Sequence, residues 1–243
     1  MESTRRSVLI TGASSGIGRA TALRLERNGW RVFAAVRKAS DAEASAGGSS
    51  GAIEAIQLDV TDRESITGAA REVTARLGGR GLDGLFNNAG IGSISPVEYT
   101  SLDKLREVFE VNLFGQIATI QAFLPLIRAA RGRIINTGSV GDHLTPPFGG
   151  PLSSPKAAFA SMSAALRLEL RSQGIAVCGS NPVPSTRRLW RRPWAEWRTS
   201  SPLCRPRGRL CTRRRCGALR GPSQGTSTPE ALPKSWRKWW SAR

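Results

Sequence analysis

The chain has 243 residues, enough for one large domain with a well-buried core, and its formal net charge is +18. Most of this charge lies at one end, because residues 187–243 hold 16 of the 36 Lys and Arg but 2 of the 18 Asp and Glu. The sequence contains no run of eighteen consecutive apolar residues, so it predicts no membrane span. The polar residues 1–7 do not resemble a secretory signal. We therefore expect a cytoplasmic protein whose folded domain occupies residues 1–186.

Short apolar runs alternate with helical patterns along this domain. The runs that predict strands are residues 8–10, 32–36, 53–58, 82–86, 133–137 and 175–178. The apolar stripes that predict helices lie at residues 17–28, 63–77, 102–130 and 156–171. This alternation predicts a single α/β domain with a doubly wound parallel sheet, right-handed crossovers, and active groups at the carboxyl ends of its strands.

Two prolines modify the helix predictions. Pro125 lies inside the third helical pattern and predicts a kink there, because proline removes a backbone N–H. Ser154 and Pro155 are typical of an N-cap and a first helical residue. The last helix is therefore expected to begin after Leu152, which could shift Lys156 slightly.

A glycine-rich turn joins the first strand to the first helix and reads Thr11-Gly12-Ala13-Ser14-Ser15-Gly16-Ile17-Gly18. Its glycines permit a tight turn and a close approach of the backbone to a pyrophosphate. The amino end of the helix supplies N–H donors and a partial positive charge. In this strand-turn-helix context the motif predicts a dinucleotide site, and the alternative is an ordinary glycine-rich turn.

The end of the second strand indicates which dinucleotide is bound. NAD sites place an acidic residue there to hold the ribose 2′-hydroxyl. This chain has Val36 followed by Arg37 and Lys38. A guanidinium can pair with a 2′-phosphate, so NADP(H) is favoured over NAD(H). The alternative is a solvated basic turn.

Two more polar groups follow predicted strands: Asp59 and Val60 after the third, and the run from Asn88 through Ala89 to Gly90 after the fourth. Each alone would be a plain turn. With the glycine turn they resemble the short-chain dehydrogenase/reductase family over residues 7–182. The resemblance implies a Rossmann fold and NAD(P)-dependent hydride transfer between nicotinamide and a carbonyl or alcohol substrate. It also implies a homodimer or homotetramer.

The same resemblance implies roles for individual residues in holding the cofactor. Asp59 contacts the adenine, Val60 packs beside it, and the segment from Asn88 to Gly90 borders the cofactor and braces the central strand. The other cofactor-binding residues implied in this way are Thr11, Gly12, Ser14, Ser15, Gly16, Ile17, Gly18, Arg37, Lys156 and Pro182.

Three of the family's four catalytic positions are matched. The resemblance implies that Asn112 organises a proton-relay water, that Ser139 holds the substrate oxygen, and that Lys156 binds the nicotinamide ribose and lowers the pKa of a tyrosine. That tyrosine should lie four residues before the lysine, on the same helix face, but the position is Leu152. Leucine has no exchangeable proton, so the activity of this chain is in doubt.

The tail, residues 187–243, is rich in Arg, Trp and Pro and shows neither strand alternation nor a helical stripe. Its composition is typical of disorder. A slip of the reading frame near Gly179 accounts for it, since one-base-shifted codons permit a family-like continuation. An evolved tail is the alternative.

The irregularly spaced cysteines and the single histidine, His143, predict no metal site.

Two other functions remain open. Leu152 is compatible with a non-catalytic NADP-binding protein that has a regulatory or scaffolding role. The basic, Trp-rich tail is compatible with weak binding of nucleic acid through charge and stacking.

Overall fold

The computed structural model describes residues 5–41, 53–142 and 144–180. Within them one sheet has the strands β1 (Ser7–Thr11), β2 (Arg31–Val36), β3 (Ile53–Gln57), β4 (Gly84–Asn87), β5 (Arg133–Thr137) and β6 (Ala176–Ser180). The α-helices are α1 (Gly16–Arg27), α2 (Arg63–Leu77), α3 (Leu102–Phe109), α4 (Gly115–Ala130) and α5 (Gly150–Arg171).

All neighbouring strands in the sheet are parallel, in the order β3-β2-β1-β4-β5-β6. The strand order reverses between β1 and β4, so the predicted doubly wound parallel sheet is confirmed. In such a sheet the crevice at the carboxyl ends of β1 and β4 is the place where ligands bind. The glycine turn after β1 and the residues after β4 meet there.

Apolar clusters cover both faces of the sheet, which explains the apolar runs within the strands. One cluster contains residues of α2, α4 and α5, such as Val73, Phe123 and Phe159, all at most 2% exposed. The other contains Ala22 of α1 together with Trp30. The sheet is thereby packed between helices on its two faces.

Local signals explain the bounds of α2, which match the prediction for residues 63–77. Asp62 accepts a hydrogen bond of 2.8 Å from the N–H of Glu64, and Gly78 ends the helix with φ +58°. An aspartate N-cap and a left-handed glycine are the typical start and stop of a helix.

The helical stretch Leu102–Ala130 contains a π turn that the apolar pattern did not predict. Its helix continues through Pro125, while a π turn occupies Glu110–Phe114 between α3 and α4. By length and mean hydropathy of 1.3 this stretch could cross a membrane, but a core helix passes the same test. Ile120, Phe123 and Ile127 are at most 2% exposed in the apolar core.

The last helix begins earlier than predicted. It starts at Gly150, so the expected start at Pro155 is wrong. Ser154 is not an N-cap, because its hydroxyl donates a hydrogen bond of 2.7 Å to the carbonyl oxygen of Gly150 within the helix. Pro155 lacks the N–H that would continue the ladder, and Pro151 and Pro155 are both buried.

Candidate functional site

The glycine turn after β1 is held in a conformation that larger residues would disturb. Gly12 and Gly16 have φ of +63° and +55°. A Cβ on Gly12 would lie 2.9 Å from the Cα of Ala89, and one on Gly18 would lie 2.6 Å from Nδ2 of Asn88. The turn is therefore packed directly against the segment after β4.

The amino end of α1 fits an anionic ligand. Ser15 stands at the N-cap with extended backbone, and its side chain makes no capping hydrogen bond. The first-turn N–H groups of a helix have no intrahelical partner, so an uncapped end can donate to phosphate oxygens. With a glycine cradle that a Cβ would fill, these residues fit the pyrophosphate of a dinucleotide.

Asn88 fastens the two strand ends together. Its Nδ2 donates to the carbonyl oxygens of Thr11 at 3.0 Å and Gly12 at 3.2 Å. In return, the Thr11 hydroxyl oxygen accepts from the N–H of Asn88 at 2.9 Å and of Ala89 at 3.0 Å. These four hydrogen bonds join β1, β4 and the glycine turn into one unit.

The residues predicted to contact the adenosine half lie at the ends of β2 and β3. Arg37 and Lys38 are exposed directly after β2, so their charged ends are available to a ligand. Asp59 is half-buried after β3, and its Oδ1 accepts from the N–H and the hydroxyl of Thr61 at 2.9 and 2.7 Å. Val60 beside it is buried.

Asn112 lies in the π turn and is completely buried. Its Oδ1 accepts from the N–H of Ile91 at 3.0 Å, and its Nδ2 donates to the carbonyl oxygen of Ile91 at 2.8 Å. A Cβ on Gly90 would lie 2.9 Å from Asn112 Oδ1. Asn112 is thus a positioned internal residue rather than a surface helix residue.

Lys156 points its ammonium at the carboxyl edge of the sheet. The side chain is buried, and Nζ donates a hydrogen bond of 2.8 Å to the carbonyl oxygen of Thr137. Burial lowers the pKa of Lys156, because the charged form loses its hydration, and the carboxylate of Asp142 raises it in part. A Cβ on Gly90 would lie 3.9 Å from Nζ, so Lys156 and Asn112 border the same glycine.

Ser139 follows β5 in a tight turn that orients its hydroxyl. Its Oγ accepts from the N–H of Gly141 at 3.0 Å, and its own N–H donates to Oδ1 of Asp142 at 3.0 Å. Because Oγ acts as the acceptor in the turn, its proton is left to donate to another group.

Leu152 lies on α5 one helical turn before Lys156 and is half-buried. The continuous helix places both residues on one face. The structure therefore brings Asn112, Ser139, Lys156 and Leu152 to the same edge of the sheet, with an apolar side chain at the position expected for a proton donor.

Two polar residues at this edge were missed by the sequence analysis. Asp142 was not singled out because an aspartate in a turn is common. Gln116 lies buried in the apolar stretch of α4 and contacts the segment after β4. A glutamine inside an apolar helical stripe was the available signal for it.

Several predictions concern parts outside the described residues. These are the cofactor contact of Pro182, the character of the tail at residues 187–243, and the surroundings of His143. Among the residues that are described, no group of three or more His, Cys, Asp or Glu could hold a metal ion.

Comparison with known proteins settles the family. The family model described as "short chain dehydrogenase" matches residues 6–191. This chain belongs to the short-chain dehydrogenase/reductase family. The oxidoreductase family predicted from the motifs is therefore confirmed.

Curated proteins of known name are also similar to this chain. The chain is 38% identical over 181 residues to "Dehydrogenase/reductase SDR family member 9" of Bos taurus, with 74% of this chain and 56% of that protein covered. It is 40% identical over 176 residues to "Retinol dehydrogenase 16" of Rattus norvegicus, covering 72% of this chain and 55% of that protein. The chain thus spans a little over half the length of these relatives. A third relative, "NADPH-dependent 3-dehydrocapnine reductase" of Ornithobacterium rhinotracheale, is 33% identical over 190 residues, covering 76% of this chain and 67% of that protein.

Solved structures have the same fold. A short-chain dehydrogenase from Streptomyces avermitilis superposes with a TM-score of 0.68 at 31% identity, covering 75% of this chain and 73% of that one. A metagenomic short-chain oxidoreductase in complex with NADP gives a TM-score of 0.66 at 28% identity, covering 73% and 82%.

Proposed function

We propose that this chain binds NADP(H) at the carboxyl edge of the sheet and that its site is built for hydride transfer to or from a small carbonyl or alcohol substrate. The observation that carries the proposal is the glycine turn, which is packed against Asn88 and Ala89 and leads into the uncapped end of α1. That arrangement leaves the first-turn N–H groups of α1 without a capping hydrogen bond from Ser15.

The preference for NADP(H) over NAD(H) rests on Arg37 and Lys38. Both are exposed at the end of β2, where a 2′-phosphate would be recognised by charge-assisted hydrogen bonds. An NADPH-dependent relative and a structural neighbour bound to NADP support this preference.

The bound nicotinamide supplies the hydride donor or acceptor, and the residues of this chain supply orientation and protons. Lys156 would hold the nicotinamide ribose with its ammonium, which the Thr137 carbonyl already positions. Ser139 would donate its free hydroxyl proton in a hydrogen bond to the substrate oxygen. Asn112 holds Ile91 and thereby the segment beside the cofactor.

Leu152 leaves the reaction without its expected general acid. A positioned acid contributes roughly 10²–10⁴-fold to a rate, which corresponds to about 3–5 kcal/mol of barrier. Cofactor binding does not need that proton. We therefore propose that the chain binds NADP(H) normally and turns a carbonyl substrate over slowly.

Calorimetric titration with NADPH and NADH tests the proposal. We expect binding of both, with NADPH tighter by about tenfold or more, as a charge-assisted contact to one phosphate implies. Binding of neither nucleotide would remove the proposed function. Equal affinity would remove only the NADP(H) preference.

A non-catalytic NADP-binding protein is the second candidate, and the apolar side chain of Leu152 at the proton-donor position favours it. The two candidates differ in the turnover expected when the missing hydroxyl is supplied at position 152. Only an oxidoreductase would then turn a substrate over. We propose a homodimer or homotetramer from the family resemblance. The cytoplasmic location stays a prediction from the sequence. Salt-dependent binding of nucleic acid by residues 187–243 stays a separate prediction.

A further inference from the structure

Gln116 is a buried polar side chain that the site described above does not use. It lies in the first turn of α4 and is 1% exposed. Its Nε2 donates to the main-chain carbonyl oxygen of Ala89, and to that of Val111 at 3.3 Å. Only the nitrogen of the amide can face two carbonyl oxygens, so these partners determine which way the amide is turned.

The two carbonyl groups belong to the two segments that form the site. Ala89 follows β4, donates its N–H to the Thr11 hydroxyl oxygen at 3.0 Å, and lies against Gly12 of the glycine turn. Val111 precedes Asn112 in the π turn. One amide therefore connects the cofactor side of the site with the turn that carries Asn112.

The contact closes a ring of hydrogen bonds. Asn112 already binds both main-chain groups of Ile91, two residues after Ala89. Gln116, which follows the π turn, adds hydrogen bonds to Ala89 and Val111 and so connects the same two segments a second time. With both ties in place, the segment from Ala89 to Ile91 cannot move away from the π turn without breaking hydrogen bonds in a buried environment.

The Gln116 amide contacts its described neighbours through its N–H donors and not through its oxygen. Its Oε1 has no hydrogen-bond partner among the described residues. Burying an acceptor without a partner is costly, and an apolar side chain of similar volume would avoid this cost. The amide remains favourable because its N–H groups satisfy carbonyl oxygens at the π turn and after β4.

We propose that Gln116 is a positioning residue that locks the π turn carrying Asn112 to the segment after β4, so that the glycine turn and Asn112 keep a common geometry. The lock itself does not depend on the proposed function. Its consequence for cofactor affinity does rest on that function.

Amide hydrogen exchange of the full chain, followed by nuclear magnetic resonance, tests the lock directly. In Gln116→Met, we expect the Ile91 amide, which donates to Asn112, to exchange about tenfold faster or more, because opening no longer breaks the Gln116 contacts. Amides of β5 should keep their rates. Thr119→Val is the matched control, since it removes a buried hydrogen bond to Gly115 on the same helix and should leave Ile91 unchanged.

Three results would overturn the proposal. Unchanged exchange at Ile91 would show that Gln116 holds nothing in place. Equally faster amide exchange in β1, in β5 and at Ile91 would show that Gln116 supports the stability of the whole domain and does not position this segment. Gln116→Leu fills the same space with a different shape, and loss of the fold in both variants, measured by circular dichroism, would likewise assign Gln116 to folding rather than positioning.

The affinity for NADP⁺ gives a second readout on the same variants. We expect Gln116→Met to weaken binding by about tenfold, the size of one lost hydrogen bond, and Thr119→Val to leave it unchanged. If the wild-type chain does not bind NADP⁺, the proposed function fails while the exchange experiment still decides the lock. If wild type and Gln116→Met bind equally, the lock does not reach the cofactor and the proposal is overturned in that part.

Discussion

The ammonium of Lys156 donates a hydrogen bond of 2.8 Å to the carbonyl oxygen of Thr137, the last residue of β5. This contact holds a buried charge at the carboxyl edge of the sheet, beside the turn that carries Ser139. A buried ammonium is costly unless it is paired and hydrogen-bonded. One turn earlier on the same helix stands Leu152, at the position where the family resemblance implies a tyrosine.

The first prediction concerns pH and stability at Lys156. Burial lowers the pKa of this lysine below its ordinary value of 10.5, so the folded chain binds fewer protons than the unfolded chain between the two pKa values. The cost of the buried charge is fully present below the folded pKa and is lost as the pH rises through it. We expect the unfolding free energy of wild type, relative to Lys156→Met, to increase as the pH rises toward 10.5.

Urea unfolding of both proteins, from about pH 7 upward, measures that difference. Thr119→Val carries no change in a titratable group and provides the baseline. A difference that stays flat, or that decreases with pH, would contradict the prediction.

Supplying a phenol at position 152 should restore a general acid. Leu152 and Lys156 share one face of α5, so Leu152→Tyr places a hydroxyl on the side of the ammonium. We expect the rate of NADPH oxidation with a panel of aldehydes and ketones to increase by roughly 10²–10⁴-fold, provided that the substrate pocket is intact. Leu152→Phe is the matched control, because it adds the ring without the proton. Equal rates for the two variants would refute a proton-transfer role.

The glycine turn should not tolerate a methyl group at Gly18. A Cβ there would lie 2.6 Å from Asn88 Nδ2 and would disturb the bonds from Asn88 to Thr11 and Gly12. We expect Gly18→Ala to lose about 1–3 kcal/mol of stability through overpacking and to abolish measurable NADPH binding.

Gly68 provides the opposite case for the same substitution. It lies in α2 with nothing within 4 Å of its added Cβ. Gly68→Ala should therefore gain about 0.5–1 kcal/mol and bind NADPH normally. Thermal unfolding and calorimetry of both variants make the comparison, and similar behaviour of the two would show that the turn is not a tight cradle.

Reversing the charge at Arg37 should change the cofactor preference. We expect Arg37→Asp to weaken NADP⁺ binding by about 10–100-fold, because it removes a charge-assisted contact to the 2′-phosphate, and to strengthen NAD⁺ binding. Arg80→Asp makes the same charge change before β4, at the opposite edge of the sheet. An equal loss of NADP⁺ affinity in both variants would mean that net charge, rather than a contact, determines the preference.

Much of the fold could be predicted because its signals are local. The apolar runs predicted the six strands of the described residues, and Asp62 and Gly78 determine the ends of α2 through their own side chain and backbone. The prediction was wrong at Ser154 and Pro155, where the residues read as a helix start but lie inside α5. Pro151 and Pro155 are buried there, and burial cannot be read from neighbouring residues alone.

The candidate site was predictable only in part. The family resemblance implied Asn112, Ser139 and Lys156, whereas Gln116 and Asp142 were missed. Gln116 acts on Ala89, 27 residues earlier in the chain, and nothing near Gln116 in sequence indicates that contact. The π turn likewise involves a contact distant in sequence, since Asn112 is hydrogen-bonded to Ile91, 21 residues away.

The amino-acid sequence by itself determined the strand-helix alternation, the glycine turn and the leucine at position 152, because periodicity, helix caps and residue identity are properties of adjacent residues. The tertiary structure decided where the last helix begins, where the long helix opens into a π turn, and which side-chain amides connect the strand ends and the π turn. These features depend on hydrogen bonds and packing between residues far apart in the chain, whose free energy is gained only after the sheet has assembled.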